Sequence, residues 1–347
     1  MAWRIALPDK APPTLFGMAR THLTLAALAT SAVAGIDVVA AVRFGTGAQG
    51  DFDSALLTDR DGKHWIIRVS RNDRAQAEQS GDLLALRALS PGVRERLPFR
   101  VSTFAGQTPI DGTRAVVYEF LYGAKVALHD LSPELSAGMG RATAAIHSLP
   151  TSFVADAGLP TQTALDSRRS CITVLERAAA TGLVPAGLLA RWGRATEEAQ
   201  LWQFQPTVIH GSLTADSFLV TDGEVSGVLG WQDLRVGDPA RDLFWVLGAN
   251  DEYVSEAALE SYGRERGNID RQVKHRAMLY AELEIAKWLL HGTQERSTEI
   301  VDDAVQMLEG LLESIANDVM NPIGEQRLPA ASVDEVEQLL TRSERAL

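Results

Sequence analysis

The chain has 347 residues, of which 46% are hydrophobic and 22% charged, a composition typical of a folded globular protein with a sizeable core. Its formal net charge of −12 disfavours broad electrostatic binding to nucleic acids or to anionic membranes. The single cysteine, Cys171, excludes an intrachain disulfide framework and is typical of a reducing compartment. We therefore expect a cytoplasmic protein of two lobes, without a nucleic-acid or membrane partner.

An apolar stretch near the N-terminus, residues 23–34, has two interpretations. It follows Arg20 and ends in small residues, as the apolar region of a secretory signal peptide does. However, the proline-containing residues before it make a poor start for a signal peptide, and the stretch is too short and too rich in Thr and Ser to span a bilayer well. We favour the alternative, a helix within residues 14–34 that packs on a domain.

Alternating apolar runs next predict three strands, at residues 36–44, 54–58 and 64–69. The first two flank a glycine-rich turn, Gly45-Thr46-Gly47-Ala48-Gln49-Gly50. A turn of this kind can hold phosphate with its backbone N–H groups, although most glycine-rich turns are only turns. Gly45 and Gly47 are therefore candidate phosphate-binding positions.

The middle of the chain changes from strand to helix. Leu83, Leu86 and Leu89 recur on one face of a helix predicted over residues 76–89, and an apolar run at residues 115–121 predicts a further strand. The pattern then predicts helices over residues 135–149, 166–181, 185–203, 254–265, 271–291 and 298–317. From these changes we expect an N-terminal lobe over residues 1–121 (with an extension at 1–35), a helical C-terminal lobe over 122–320 and a charged tail over 321–347.

Residues 208–243 have a pattern of their own. Two short apolar runs are separated by a polar loop, and a turn at residues 221–224 leads into a third run and a group of acids. Strands joined by tight loops would present a set of polar side chains, namely His210, Ser212, Asp216, Ser217 and Asp233. Because loops held by strands often carry chemistry, this stretch is a candidate active site, with an ordinary surface hairpin as the alternative.

The order of these residues resembles the catalytic core of the aminoglycoside and macrolide phosphotransferases, which share the protein-kinase fold. That family carries H-G-D-x-x-x-x-N/H, then a strand, a turn, I-D-W and G-D-P-x-x-D-L. The matching residues here are His210-Gly211, Leu219, Gly227, Trp231, Gly237-Asp238-Pro239 and Asp242-Leu243. The resemblance is closest to the macrolide branch and implies a two-lobed α+β fold, with a small sheet-based N-terminal lobe and a mostly helical C-terminal lobe.

Three chemical positions depart from the family pattern. Ser212 stands where the family's aspartate accepts the proton of the substrate hydroxyl. Ser217 and Gly230 stand where the family has, respectively, an Asn or His that helps to hold magnesium and an Asp that bridges magnesium to the phosphates. Phosphoryl transfer depends mainly on positioning and on charge neutralisation by the metal, so these losses remove its largest contribution. A missing general base alone would cost about 10²–10⁴-fold in rate.

The resemblance also implies roles in the N-terminal lobe. Arg68 stands where kinases have the strand lysine that reaches the nucleotide phosphates, and an arginine can hold phosphate through two N–H groups. Asp82 stands where the family has a glutamate that pairs with this base, with Glu78 as a competing partner one turn earlier. The backbone at Glu119 and Leu121 corresponds to the hinge that pairs with the nucleotide base.

In the C-terminal lobe the resemblance implies scaffolding. His210, Asp238 and Asp242 are similar to family residues among which the histidine and the G-D-P aspartate brace the catalytic loop through hydrogen bonds. We expect His147 to be a packed structural histidine. The acids of the later helices either line a pocket for a cationic acceptor, as in this family, or form a solvated helix face: Glu252, Glu256, Glu260, Glu282 and Glu284.

Two functions remain open. In the first, the protein has lost transfer and binds a nucleotide, metabolite or protein as a non-catalytic module. In the second, it is an active ATP- or GTP-dependent kinase of small molecules that uses relocated acids: Asp216 beside the lost Asn position, and Asp233 as a substitute metal ligand. Because Trp231 anchors the register, a displacement of Asp233 is the harder of the two. We therefore expect ATP or GTP as the cofactor, a doubtful role for Mg²⁺, and a small molecule or a protein as partner.

Overall fold

The computed structural model describes residues 20–45, 50–267, 270–317 and 323. These divide into two compact units. The first contains the described residues up to Lys125 together with Ser217–Leu234, and the second contains Val126–Asp216 together with the described residues from Arg235 onward. Gly47, in the predicted phosphate-binding turn, and nearly all of the predicted C-terminal tail lie outside the described residues.

Ten strands and ten α-helices lie within the described residues. The strands are β1 (Val38–Arg43), β2 (Phe52–Asp59), β3 (His64–Ser70), β4 (Arg100–Val101), β5 (Phe104–Ile110), β6 (Thr113–Glu119), β7 (Thr207–Ile209), β8 (Phe218–Thr221), β9 (Glu224–Val228) and β10 (Arg235–Gly237). The helices are α1 (His22–Ala32), α2 (Asp73–Ala88), α3 (Pro91–Arg94), α4 (Pro133–His147), α5 (Ser152–Asp156), α6 (Ala164–Ala179), α7 (Ala186–Glu197), α8 (Glu252–Arg266), α9 (Val273–Glu295) and α10 (Thr298–Asn317).

A five-stranded antiparallel sheet in the order β1-β2-β3-β6-β5 forms the centre of the first unit. Leu57, Ile67 and Val117 are buried on one face of this sheet, where Leu25 and Ala29 of α1 pack against them. The apolar N-terminal stretch therefore includes a helix that covers the sheet. Within the described part of the chain, no helix is long and apolar enough to cross a membrane.

The hairpin of β8 and β9 also belongs to the first unit, because β9 pairs in parallel with β4. Its turn has Asp222 and Gly223 at φ values of 53° and 80°, the left-handed pair that matches the twist of a two-residue hairpin. The boundaries drawn from the sequence place this hairpin in the helical lobe. Its hydrogen-bonded partner, however, comes from the N-terminal segment.

Helices dominate the second unit, and its core includes Leu188, Trp192 and Leu283. α4 and α8 pack closely: a Cβ on Gly140 would lie 2.2 Å from the carbonyl oxygen of Ala258, so only glycine fits there. β7 pairs with β10, a strand that the sequence analysis missed, and not with β8. This two-stranded ribbon leads directly into the loop that begins at His210.

Candidate active site

In the first unit, β3 presents Arg68 beside an aromatic ring. The guanidinium carbon of Arg68 lies 3.8 Å from the centre of the Phe52 ring on the neighbouring strand, a cation–π contact. Among the described residues, no ion pair within 4.0 Å joins Arg68 to Asp82 or to Glu78. The expected ion pair of the strand base is therefore not formed among the described residues, although the charge of Arg68 still acts on the pKa of Asp82.

Asp82, on α2, instead holds the turn that follows β9. Its Oδ1 accepts a hydrogen bond of 3.1 Å from the backbone N–H of Trp231. Burial raises the pKa of Asp82 above its ordinary value, although the charge of Arg68 and hydrogen bonds from the Trp231 N–H and the Tyr118 hydroxyl act in the opposite direction. Asp82 thus joins α2 to the turn after β9.

Gly230 begins this turn at the position where the resemblance expects a metal-binding aspartate. It adopts φ 83° and ψ 50°, in the left-handed region that aspartate tolerates better than most residues. A Cβ on Gly230 would have Gln232 Oε1 as its nearest neighbour, at 3.5 Å. On the other side of the turn, a Cβ on Gly81 of α2 would lie only 2.9 Å from the Gln232 carbonyl oxygen. There is therefore room for an aspartate side chain at residue 230, at the cost of strain from the positive φ, but the sequence provides no side chain.

In the hinge implied by the resemblance, residues 119–121, one of the three backbone N–H groups has no acceptor among the described residues. The N–H groups of Glu119 and Phe120 donate to the carbonyl oxygens of Thr103 and His64, at 2.9 and 3.1 Å. Within the described part of the chain, by contrast, no acceptor binds the N–H of Leu121. Leu121 can therefore donate a hydrogen bond to a ligand, which is the role that the sequence predicts for this position.

An aromatic cluster beside the hinge was not found from the sequence. Phe120 packs edge to face against Phe44 and Tyr122, with ring centres 6.2 and 5.0 Å apart, and His64 Nδ1 lies 2.8 Å from the Tyr122 hydroxyl. Phe44 directly precedes Gly45, which has φ 82°. Phe44 and Tyr122 are 42% and 55% exposed, so their rings offer a stacking surface beside the hinge.

In the second unit, Asp242 holds the backbone of the catalytic-type loop. Its fully buried carboxylate accepts hydrogen bonds from the N–H groups of His210 and Gly211, at 2.6 and 2.8 Å, and its Oδ2 lies 3.1 Å from Nε2 of His147. The other ring nitrogen of His147 lies 3.0 Å from the Tyr262 hydroxyl. Burial alone would raise the pKa of Asp242, but the hydrogen bond and charge of His147, the charge of His210 and the Gly211 N–H lower it below its ordinary value.

Among the described residues, the partners of Asp238 lie outside this loop. Its carboxylate accepts from Arg276 Nε and Nη2 at 2.8 and 3.0 Å, from the Tyr280 hydroxyl at 2.9 Å and from the Ala240 N–H at 2.9 Å. Both partner side chains come from α9. Asp238 therefore connects α9 to the turn that carries Asp242. Asp242 is the residue that contacts the loop.

The remaining candidate positions are divided between the units. Ser212 is half-buried, and Asp216 is exposed in a 3₁₀ turn, Ala215–Ser217. In the first unit, the Ser217 carbonyl accepts from the Leu229 N–H at 2.9 Å, and Asp233 is half-buried. Nowhere in the described ranges do three or more His, Cys, Asp or Glu side chains form a group that could hold a metal. The family's metal positions supply one hydroxyl and no carboxylate, which fits Mg²⁺ poorly.

Four of the five acids of the later helices separate into two sets, and the fifth, Glu252, is exposed at the start of α8. Glu282 is buried and accepts from Arg191 Nε and Nη2 at 3.1 and 2.9 Å, and Glu284 pairs with a lysine of its own helix. Glu256 and Glu260 instead line a cavity of about 850 Å³ within the second unit. Only this second set is in a position to meet a ligand.

Comparisons with known proteins show the family and the fold of the chain. Residues 38–280 match the family model described as "Phosphotransferase enzyme family" (APH). A macrolide 2′-phosphotransferase, MphH from Brachybacterium faecium, has a similar fold with a TM-score of 0.68, 20% identity and coverage of 83% of this chain and 98% of that one. The GDP complex of aminoglycoside 2′-phosphotransferase-IIIa gives a TM-score of 0.69, 16% identity and coverage of 86% and 100%. The uncharacterized protein YcbJ of Bacillus subtilis (strain 168) is 23% identical over 273 residues, which cover 74% of this chain and 87% of YcbJ.

The predicted α+β kinase-like fold is thereby confirmed, and the chain belongs to the phosphotransferase enzyme family that includes antibiotic kinases.

Proposed function

We propose that this protein is a cytoplasmic module that binds ATP or GTP on its first unit and transfers phosphate little or not at all. The observation that carries the proposal is a contrast. The carboxylates that position the backbone, Asp82 on the turn after β9 and Asp242 on the loop after β7, keep their hydrogen bonds. The positions that perform the chemistry have become Ser212, Ser217 and Gly230.

Nucleotide binding is supported by three features of the first unit. The N–H of Leu121 is without an acceptor in the described residues and can donate to a purine edge. The exposed rings of Phe44 and Tyr122 can stack on a base. The guanidinium of Arg68 can hold phosphate through two N–H groups while it remains over Phe52. Proteins of similar fold have been solved with GDP and with ATP.

Loss of transfer is supported by the chemistry of the replaced positions. A serine hydroxyl does not ionise near neutral pH, so Ser212 cannot take a proton from a substrate as a carboxylate does. Ser217 offers a single hydroxyl oxygen and Gly230 offers none, so the negative charge of a bound phosphate chain would not be bridged by a metal there. We therefore expect nucleotide affinity that is modest and largely independent of magnesium.

An active kinase with relocated acids is the second candidate. The observation in its favour is that Asp216 is exposed and directly adjacent to Ser217, one residue from the family's metal position. Asp233 is the other relocated acid, in the 3₁₀ turn Trp231–Asp233. In this case a small molecule would be phosphorylated, whereas under the first proposal a metabolite or a protein partner is bound without being modified.

Isothermal titration calorimetry with ATP and with GTP tests the proposal. Each nucleotide is titrated into the full chain once with excess Mg²⁺ and once with EDTA. We expect saturable binding of at least one nucleotide, with dissociation constants that agree within about twofold between the two conditions. Binding that requires Mg²⁺ would favour the relocated acids, and no binding at millimolar nucleotide would refute the nucleotide-binding role.

A further inference from the structure

The second unit contains a cavity of about 850 Å³, which has the size of a site for a drug-sized ligand. It lies among the end of α4, the segment before β7, α8 and the start of α9. Thr207, at the start of β7, lines it, whereas Ser212 and Asp216 do not. The extended chain between Thr207 and His210, where the loop begins, spans about 10 Å. The cavity therefore borders β7 at the end that is away from the loop.

Thr207 gives the cavity a polar group that has no partner. Thr207 is only 7% exposed, and its side-chain oxygen Oγ1 has no hydrogen-bond partner among the described residues. Buried hydroxyl groups are normally paired, so an unpaired one that borders a cavity points to an absent partner. The lining also includes apolar side chains, among them Leu149, Phe204, Leu259 and Val273.

The exposed part of the lining carries charges of both signs. Glu256 and Glu260 lie one turn apart on α8, and Arg271 and Lys274 lie near the start of α9. None of these four side chains has a hydrogen bond or an ion pair within the described ranges. The other two charged residues of the lining have partners, because Arg266 donates to Ser148 Oγ and Asp270 pairs with Arg276. The two carboxylates and two cations that form no ion pair among the described residues would be satisfied by a ligand with one positive and one negative group.

Two buried residues of the lining connect the cavity with the catalytic-type loop. The Tyr262 hydroxyl and His147, 4% and 2% exposed, are 3.0 Å apart. Nε2 of His147 is 3.1 Å from the Asp242 carboxylate, which in turn holds the N–H groups of His210 and Gly211. A ligand that contacts Tyr262 is therefore two hydrogen bonds away from the carboxylate that positions the loop.

We propose that this cavity is a second ligand site, which binds zwitterionic molecules of the amino-acid or short-peptide class and stabilises the loop through Tyr262, His147 and Asp242. The ligand's amino group faces Glu256 and Glu260, and its carboxylate faces Arg271 and Lys274. A polar group of its body reaches Thr207. The site is separate from the proposed nucleotide site and does not depend on nucleotide binding or on phosphoryl transfer.

Binding is tested by calorimetry on the full chain with L-leucyl-L-leucine as the probe. The N-acetylated and the C-amidated dipeptides, each of which lacks one charge, are the matched ligands. We expect saturable binding of the zwitterion, and roughly five- to tenfold weaker binding of either blocked form. Equal binding of all three, or no saturable binding of the zwitterion at millimolar concentration, would overturn the proposal.

Paired variants locate the amino-group contact. The double variant Glu256→Gln/Glu260→Gln should weaken binding of the zwitterion roughly five- to tenfold and leave the N-acetylated form unchanged. Glu252→Gln/Glu265→Gln removes the same charge from the same helix at exposed positions outside the lining, and should bind like the wild type. Equal losses in both double variants would indicate a general effect of net charge and would contradict the site.

Hydrogen exchange of the His210 and Gly211 amides tests the connection to the loop. Saturating L-leucyl-L-leucine should slow their exchange about fivefold, which corresponds to about 1 kcal/mol of opening free energy. Tyr262→Phe removes the hydroxyl that meets His147, so it should bind the dipeptide but lose this slowing. Tyr253→Phe, at a residue 72% exposed on the same helix, should behave like the wild type. Exchange unaffected by the dipeptide, or slowed equally in Tyr262→Phe, would refute the connection.

Discussion

Asp82 accepts a hydrogen bond of 3.1 Å from the backbone N–H of Trp231, which follows it by 149 residues. The residue between β9 and Trp231 that would carry the family's metal-binding carboxylate is Gly230. The helix α2 therefore still holds this turn, although the turn has lost its own carboxylate. This combination is expected of a protein that keeps the geometry of a nucleotide site without the metal chemistry.

Asp82 leads to a prediction about pH. Because burial raises the pKa of Asp82 in the folded protein, ionisation of this carboxylate costs stability. The contribution of protonated Asp82 to the free energy of unfolding is fully present below the ordinary aspartate pKa of about 3.9. It is lost as the pH rises through the higher folded-state pKa. Asp82→Asn cannot ionise and keeps an oxygen acceptor for the Trp231 N–H.

We therefore expect the wild type to lose stability relative to Asp82→Asn as the pH is raised from about 4 to about 7. Urea unfolding at a series of pH values measures the difference. Asp61→Asn, in the exposed turn between β2 and β3, is the control and should follow the wild type at every pH. A difference between wild type and Asp82→Asn that does not change with pH would contradict the assignment.

Asp242 should show the opposite dependence. Its pKa is lowered in the folded protein, so its contribution is present above about 3.9 and is lost as the pH falls through the lower folded-state pKa. Asp242→Asn places an amide nitrogen among N–H donors in a fully buried site, and should cost about 3–5 kcal/mol near neutral pH.

The same urea experiments measure this cost, which should shrink as the medium becomes acidic. Asp156→Asn, at an exposed position of the same unit, should cost less than about 0.5 kcal/mol. If Asp242→Asn were as mild as Asp156→Asn, the carboxylate would not be what holds the loop.

Arg68 is predicted to contact the nucleotide phosphates directly. Arg68→Lys keeps the charge but loses the planar fork and the stacking on Phe52, so we expect about tenfold weaker binding of ATP or GTP. Arg60→Lys, an equivalent change in the exposed β2–β3 turn, should leave affinity unchanged. Calorimetry compares the three proteins, and equal affinity of the wild type and Arg68→Ala would remove the phosphate role.

The larger elements of the first unit could be predicted because their apolar residues repeat with a clear period. β2 and β3 alternate between buried and less buried positions, and Leu83 and Leu86 are buried on one face of α2. The short strands β4 and β10 have two and three residues, too few for a period to be recognised, and they are identified only by their pairing with β9 and β7.

The site could be predicted only in part, because side-chain partners that are distant in sequence decide the roles. Asp238 and Asp242 lie four residues apart in one motif, and nothing local distinguishes the carboxylate that faces the loop. Arg276 of α9, 38 residues after Asp238, binds the carboxylate of Asp238. The carboxylate of Asp242 is therefore the one that faces the loop. In the same way, the sequence does not distinguish Glu282 from a pocket residue, because its partner Arg191 lies on another helix.

Restoring the family's side chains at residues 212, 217 and 230 tests whether the protein lacks only the groups that carry out phosphoryl transfer. Phosphate release from ATP and GTP with Mg²⁺ is measured for the wild type, for Ser212→Asp, Ser217→Asn and Gly230→Asp singly, and for the triple variant. We expect background release by the wild type, little gain from single changes, and clear magnesium-dependent release by the triple variant, because base and metal sites act as a unit. Wild-type release above background that is abolished by Asp216→Asn or by Asp233→Asn would contradict the non-catalytic function and establish relocated acids in its place.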